Sequence, residues 1–175
     1  MCKVLVVSLF LYLSLVFCPS VFAGDATIYT GFQNPGKLTI DNAVRDTKLG
    51  AVVGGRISVG KLIGFEQTLA YSPNFLESGN RAYNIQSNFM VSLPTGKITP
   101  YGTVGVGLIT TTDRRIFDFE NFGTKFTVNY GGGIKFHNVV GPIGLRFDLR
   151  GYSVPKVFNQ TLDFIEGTVG IMFSW

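Results

Sequence analysis

From Lys125 to Tyr152 apolar and polar residues alternate with a period of two, and the polar side is built of charges and glycines. Phe126, Val128, Tyr130, Ile134 and Phe136 share one face of the first arm, and Lys125, Thr127, Asn129, Gly131, Gly133 and Lys135 the other. The turn formers between Asn138 and Pro142 interrupt the pattern. It then resumes with Ile143, Leu145, Phe147 and Leu149 opposite Gly144, Arg146, Asp148 and Arg150. Two alternating arms with a tight connection predict a β-hairpin. What that hairpin belongs to depends on whether its mixed polar face meets water or fills an interior.

The rest of the chain repeats the pattern. Eight alternating stretches begin near Ala26, Leu49, Ile63, Tyr83, Ile98, Lys125, Ile143 and Ile165. Connections of roughly two to five residues follow the second, fourth and sixth, and connections of roughly nine to fifteen follow the others. The segments Asn34 to Lys48, Ser72 to Arg81, Thr111 to Gly123 and Ser153 to Thr161 are read as the long ones. In an antiparallel up-and-down sheet, alternate connections lie on one side. One rim therefore carries tight turns and the other loops, and an even strand count puts both termini on the turn side.

Glycine placement decides which face is inside. Gly31, Gly50, Gly54, Gly60, Gly64, Gly105, Gly107, Gly131, Gly133, Gly144 and Gly170 fall on the polar face, and only Gly55, Gly102, Gly132, Gly151 and Gly167 on the apolar one. On a solvated strand surface each glycine weakens the strand by roughly 0.5–1 kcal/mol with no return. Inside an eight-stranded barrel, barely wide enough for side chains, glycines leave room for long residues. The polar face is therefore expected to be the interior, and the apolar face to meet lipid. Arg56, Lys125, Lys135, Arg146 and Arg150 are expected to fill that interior, with Glu66, Asp148 and Glu166 as counter-charges. Buried charges are tolerable only when paired, so a structural charge network that fills the barrel is expected. Phe32, Tyr71, Tyr83 and Phe126 at one level and Phe65, Phe136, Phe173 and Trp175 at the other read as interfacial girdles.

The ends of the chain fit a secreted precursor. Lys3, the apolar run Val4 to Phe17, and Val21-Phe22-Ala23 before Gly24 have the layout of a cleaved signal peptide. Residues 1–23 are thus expected to leave, and residues 24–175 to form one barrel domain. Acylation at Cys18 is the alternative, disfavoured by Phe17 and Pro19 on either side of it. With Cys2 and Cys18 in the leader, the mature chain has no disulfide framework and no thiol chemistry. A net charge of +4 without a basic run gives no reason to expect nucleic acid. Charged residues make up 15% of the chain, well under the ordinary share of about 25%. Beyond the leader no apolar stretch is long enough for a spanning helix.

Three stretches carry a family likeness: VVGGRISVGKLIGFEQTLAYSP (Val52 to Pro73), PTGKITPYGTVGVGLI (Pro94 to Ile109) and YGGGIKFHNVVGPIGLRFDLRGY (Tyr130 to Tyr152). In order and spacing the chain resembles the small eight-stranded outer-membrane β-barrel domains related to OmpA and OmpX. The resemblance implies an all-β antiparallel up-and-down barrel in the bacterial outer membrane, in contact with lipid including lipopolysaccharide. It also implies that Thr168, Gly170, Phe173 and Trp175 form the terminal-strand signal read by the barrel assembly machinery. A monomer is expected.

Catalytic signals are sparse. The single histidine, His137, falls beside a tight turn, and a lone rim histidine does not make a triad. No metal-ligand spacing and no phosphate loop occur, so no cofactor is expected. A non-enzymatic barrel serving envelope integrity or surface interaction is the first expectation. The alternatives are a narrow or gated pore, and loop-mediated binding of lipopolysaccharide or another partner. For the last, Arg114 and Arg115 beside Ile116 and Phe117 offer basic groups above apolar ones.

Overall fold

A computed structural model describes residues 24–35, 38–40, 43–45, 49–75, 81–111, 123–157 and 160–175. Eight of its strands close into an antiparallel barrel: β1 (Gly24–Pro35), β4 (Gly50–Val59), β5 (Ile63–Ser72), β6 (Ala82–Ser92), β7 (Ile98–Thr111), β8 (Thr124–Val140), β9 (Ile143–Val157) and β10 (Gln160–Ser174). Each pairs with its neighbours in sequence order, and β1 closes the circle against both β4 and β10. Closure leaves no unpaired barrel edge, which a strand facing hydrocarbon requires. No described helix is long and apolar enough to cross a membrane.

Alternation in sequence becomes alternation in burial. Along β5, Gly64, Glu66, Thr68, Ala70 and Ser72 are buried, while Ile63, Phe65 and Leu69 are exposed. On β9, Arg146, Asp148, Arg150 and Tyr152 are buried, and Leu145, Phe147 and Leu149 face out. Glu66, Arg146, Asp148 and Arg150 are thus hidden while Ile28 is 80% exposed. That inversion is senseless in water and correct in lipid.

Tight turns line one rim. Gly60 joins β4 to β5 at φ +109°, where a Cβ would lie 2.3 Å from the Ile63 carbonyl oxygen, so glycine is required there. Residues 93–97 and 141–142 make the other two turns. Gly24 and Trp175 exchange backbone hydrogen bonds of 3.2 and 3.1 Å on the same rim, as expected from the even strand count.

Two connections differ from expectation. The segment Asn34 to Lys48 contains a small antiparallel hairpin, β2 (Leu38–Ile40) with β3 (Ala43–Arg45). Ser153 to Thr161 is mostly strand: β9 runs to Val157 and β10 starts at Gln160, leaving only residues 158–159 between them. The inward parity of Arg150 and Tyr152 simply continues through Val154, and that of Glu166 backwards through Phe164 and Leu162.

Candidate functional site

The site is the barrel interior, and its parts come from strands far apart around the wall. Arg146 and Arg150 project from β9 across to Glu66 on β5, the diametrically opposite strand, at 2.5 and 2.8 Å. Asp148, between the two arginines on β9, takes Arg146 Nε at 3.0 Å and Arg150 Nη2 at 2.9 Å. It also takes Arg56 Nη1 from β4 at 2.7 Å, and Arg56 Nη2 reaches Glu166 on β10 at 3.1 Å. Lys135 on β8 reaches Asp25 on β1 at 2.6 Å, and Arg146 Nη1 stands 3.6 Å from the same carboxylate. These pairs cross the lumen and tie together β1, β4, β5, β8, β9 and β10.

Neutral groups fill out the acceptors. Glu166 also accepts from Gln33 Nε2 at 2.8 Å and from the Tyr152 hydroxyl at 3.3 Å, and Glu66 from Asn88 Nδ2 at 3.0 Å. The Tyr101 hydroxyl donates to Asp148 and accepts from Arg146 Nε at 2.9 Å. Two interior tyrosines lie against glycines. A Cβ on Gly54 would meet the Tyr29 hydroxyl at 2.5 Å, and one on Gly133 would meet the Tyr101 hydroxyl at the same distance. Each ring is then stacked by an arginine, Arg56 at 3.9 Å over Tyr29 and Arg146 at 4.7 Å over Tyr101. The glycines of the polar face therefore hold space for rings and guanidinium groups. Arg150 Nε and Nη1 and the Tyr29 hydroxyl have no hydrogen-bond partner among the described residues.

Toward the loop rim the interior turns apolar. Phe75, Ala82, Ile109, Tyr152, Val154, Leu162 and Phe164 form one buried cluster. The Tyr152 ring stacks on Phe164 at 4.7 Å, and Phe75 meets Phe164 edge-on at 5.5 Å. Phe75 and Val154 are fully buried.

Most of the residues singled out in sequence come together here: Arg56, Glu66, Lys135, Arg146, Asp148, Arg150 and Glu166 are all in the network. Lys125 is not. It is the second residue of β8, level with Ile109 at the loop end, only half-buried, and without an ion pair among the described residues. Asp25 takes the vacant place. The expected five bases against three acids become four against four, so the described ionic interior is electrically balanced. Asp25 was legible through its odd-number parity with Tyr29 and Gln33, but it stands next to the expected leader and before the first clear alternation.

The terminal-strand residues divide between faces. Thr168 accepts from Arg56 Nη1 at 3.1 Å in the interior, and Gly170 lies opposite Tyr29. Phe173 and Trp175 are 51% and 59% exposed on the outside. His137 sits beside the β8–β9 turn with its Nδ1 3.3 Å from the Ser174 hydroxyl. Arg114 and Arg115 lie outside the described residues. No metal-holding group of His, Cys, Asp and Glu occurs among the described residues. A groove of about 500 Å³ lies on the outer wall across β8, β9, β10 and β1, lined by Phe32, Gly132, Ile134, Phe147, Leu149 and Val169 among others.

An outside that is apolar at every strand, around an interior holding eight paired charges, is stable only in a membrane. The chain is a β-barrel of the small outer-membrane type. Solved structures agree. The crystal structure of Neisserial surface protein A superposes with a TM-score of 0.63 at 14% identity, covering 88% of this chain and 97% of that one. The N-terminal barrel domain of Pseudomonas aeruginosa OprF gives 0.57 at 11% identity, with 87% and 97% covered. The outer-membrane enzyme PagL gives 0.52 at 13% identity, with 85% and 98% covered. At these identities the likeness is one of fold. No protein-family model and no curated protein matches the sequence.

Proposed function

We propose that this barrel is a non-enzymatic, non-conducting element of the bacterial outer membrane that contributes to envelope integrity or surface interaction. The single observation that carries the reading is the balanced set of four acids and four bases spanning the lumen, with the Phe75–Phe164 cluster above it. Ions passing through would have to break several of these pairs and part an apolar cluster. Either step exposes buried charge or apolar surface without compensation. The terminal strand is proposed to engage the assembly machinery through its outward aromatics, and lipopolysaccharide to contact the outer wall.

The non-enzymatic reading rests on side chains. His137 is the chain's single histidine. No carboxylate hydrogen-bonds to it among the described residues, so its contact with Ser174 lacks the third group that orients a catalytic base. The fold that PagL shares supplies neither the residues nor the reaction.

Planar-bilayer recording of the folded barrel tests the reading. No discrete conductance steps are expected from the wild-type chain. Reproducible steps would overturn it in favour of the narrow pore, whose support is the set of interior polar atoms without a hydrogen-bond partner among the described residues.

A further inference from the structure

The outer wall is largely apolar at mid-depth, and an outward amide interrupts it on β5. Gln67 on β5 and Ser87 on β6 face outward, directly opposite each other in register. The Gln67 amide donates to the Ser87 hydroxyl at 2.9 Å, and that hydroxyl donates back to Gln67 Oε1 at 3.0 Å. Both sit near the middle of their strands, Ile63–Ser72 and Ala82–Ser92. Their outward neighbours are apolar: Phe65, Leu69, Ile85 and Phe89 are each at least 40% exposed. Thr30, an outward hydroxyl of β1, is satisfied within its own barrel by the Val52 carbonyl oxygen at 3.2 Å.

Hydrogen-bond arithmetic leaves this pair incomplete. A glutamine side chain has two N–H donors and an oxygen with two lone pairs. Ser87 uses one donor and one lone pair, so one N–H and one lone pair of Gln67 are left without a partner among the described residues, at a depth where no water can take them. Their natural complement is another amide. Two side-chain amides across a two-fold axis donate to and accept from each other, and Gln67 is thus complementary to itself.

Membrane geometry supplies the second constraint. Both termini and the tight turns lie on one rim, so every copy inserts in the same direction. Neighbouring copies can then be related only by rotation about the membrane normal, which keeps each residue at its own depth. In a symmetric pair the Gln67 of one copy meets the Gln67 of the other. The wall on either side permits close approach. A Cβ on Gly55 of β4 would meet only the Thr27 carbonyl oxygen at 3.8 Å, and one on Gly102 of β7 only that of Gly131 at 3.9 Å. Small residues of this kind let membrane surfaces pack closely where no hydrophobic force draws them together.

The geometry points to a docking face on β4 to β7, centred on Gln67 and Ser87, whose partner is a second copy of this chain. This departs from the monomer expected from sequence, and it stands apart from the question of conductance.

Energy transfer between donor- and acceptor-labelled full chains, folded into phospholipid vesicles over a range of lipid dilution, tests it. Transfer above that of random mixing is expected for the wild type. The double variant Gln67→Leu with Ser87→Ala should fall to the random level while still showing the folded, heat-modifiable band on a gel. Leu149→Ala on the opposite wall should leave transfer unchanged. No excess transfer in the wild type, or transfer indifferent to the double variant, overturns the proposal. Leu69→Cys, outward on β5 beside Gln67, gives an independent reading when Cys2 and Cys18 are replaced by Ser. Oxidation should link two copies through position 69 while Gln67 is kept, whereas Leu149→Cys should not link; equal linkage at both positions overturns the docking face.

Discussion

Asp148 shows what a single residue does in this interior. Its carboxylate is shared by Arg56, Arg146 and Arg150 and by the Tyr101 hydroxyl. Asp148→Leu removes one negative charge from a balanced set and leaves three guanidinium groups short of an acceptor at 1% side-chain exposure or less. Breaking a buried pair from one side usually costs about 3–5 kcal/mol, because the stranded charge remains. A loss of that size is expected in the unfolding free energy of the vesicle-bound barrel, obtained from denaturant titration read by gel migration. Which residues would be inside was legible from the sequence, because parity alone sends Arg56, Glu66 and Arg146 to one face. Which pairs with which was not. Partners such as Arg146 and Glu66 face each other across the lumen, and their distance depends on the stagger of eight strands that no local pattern encodes.

At the scale of elements, the β9–β10 hairpin shows where local reading fails and why. Ser153 to Thr161 holds Pro155 and Asn159, which are turn formers, and so reads as a loop. The strands nonetheless extend through it, because Val154, Leu162 and Phe164 continue the inward parity and find an apolar cluster to join. Tertiary packing overrides turn propensity here. Proline at 155 is tolerated where its missing N–H leaves no paired acceptor, since the β9–β10 register passes from Val154 to Val157. The hairpin's contribution can be measured. Phe164→Ala removes a ring that touches both Tyr152 and Phe75 and should cost about 3–5 kcal/mol, as buried Phe→Ala changes do. Equilibrium unfolding in guanidinium is the check. By contrast, the tight turns were legible throughout, because Gly60, Gly96 and Gly141 mark them in the sequence and take positive φ in the structure.

The whole molecule has an inverted architecture. Apolar side chains face lipid, and a neutral set of charges ties opposite walls together through the centre. The class of fold followed from the glycine-rich polar face, which only a crowded interior explains. The balance of charge did not, because Asp25 stands beside the expected leader and Lys125 lies at the loop end of β8. The contact that most clearly spans the barrel is Arg150 on β9 with Glu66 on β5, at 2.8 Å between diametrically opposite strands. A double-mutant cycle on Glu66→Gln and Arg150→Met, by equilibrium unfolding of the barrel from lipid vesicles, tests it most directly. A coupling of about 1.5–3 kcal/mol is expected, the range for a charged hydrogen bond between residues in contact. A coupling within about 0.5 kcal/mol of zero, as for independent sites, would contradict it.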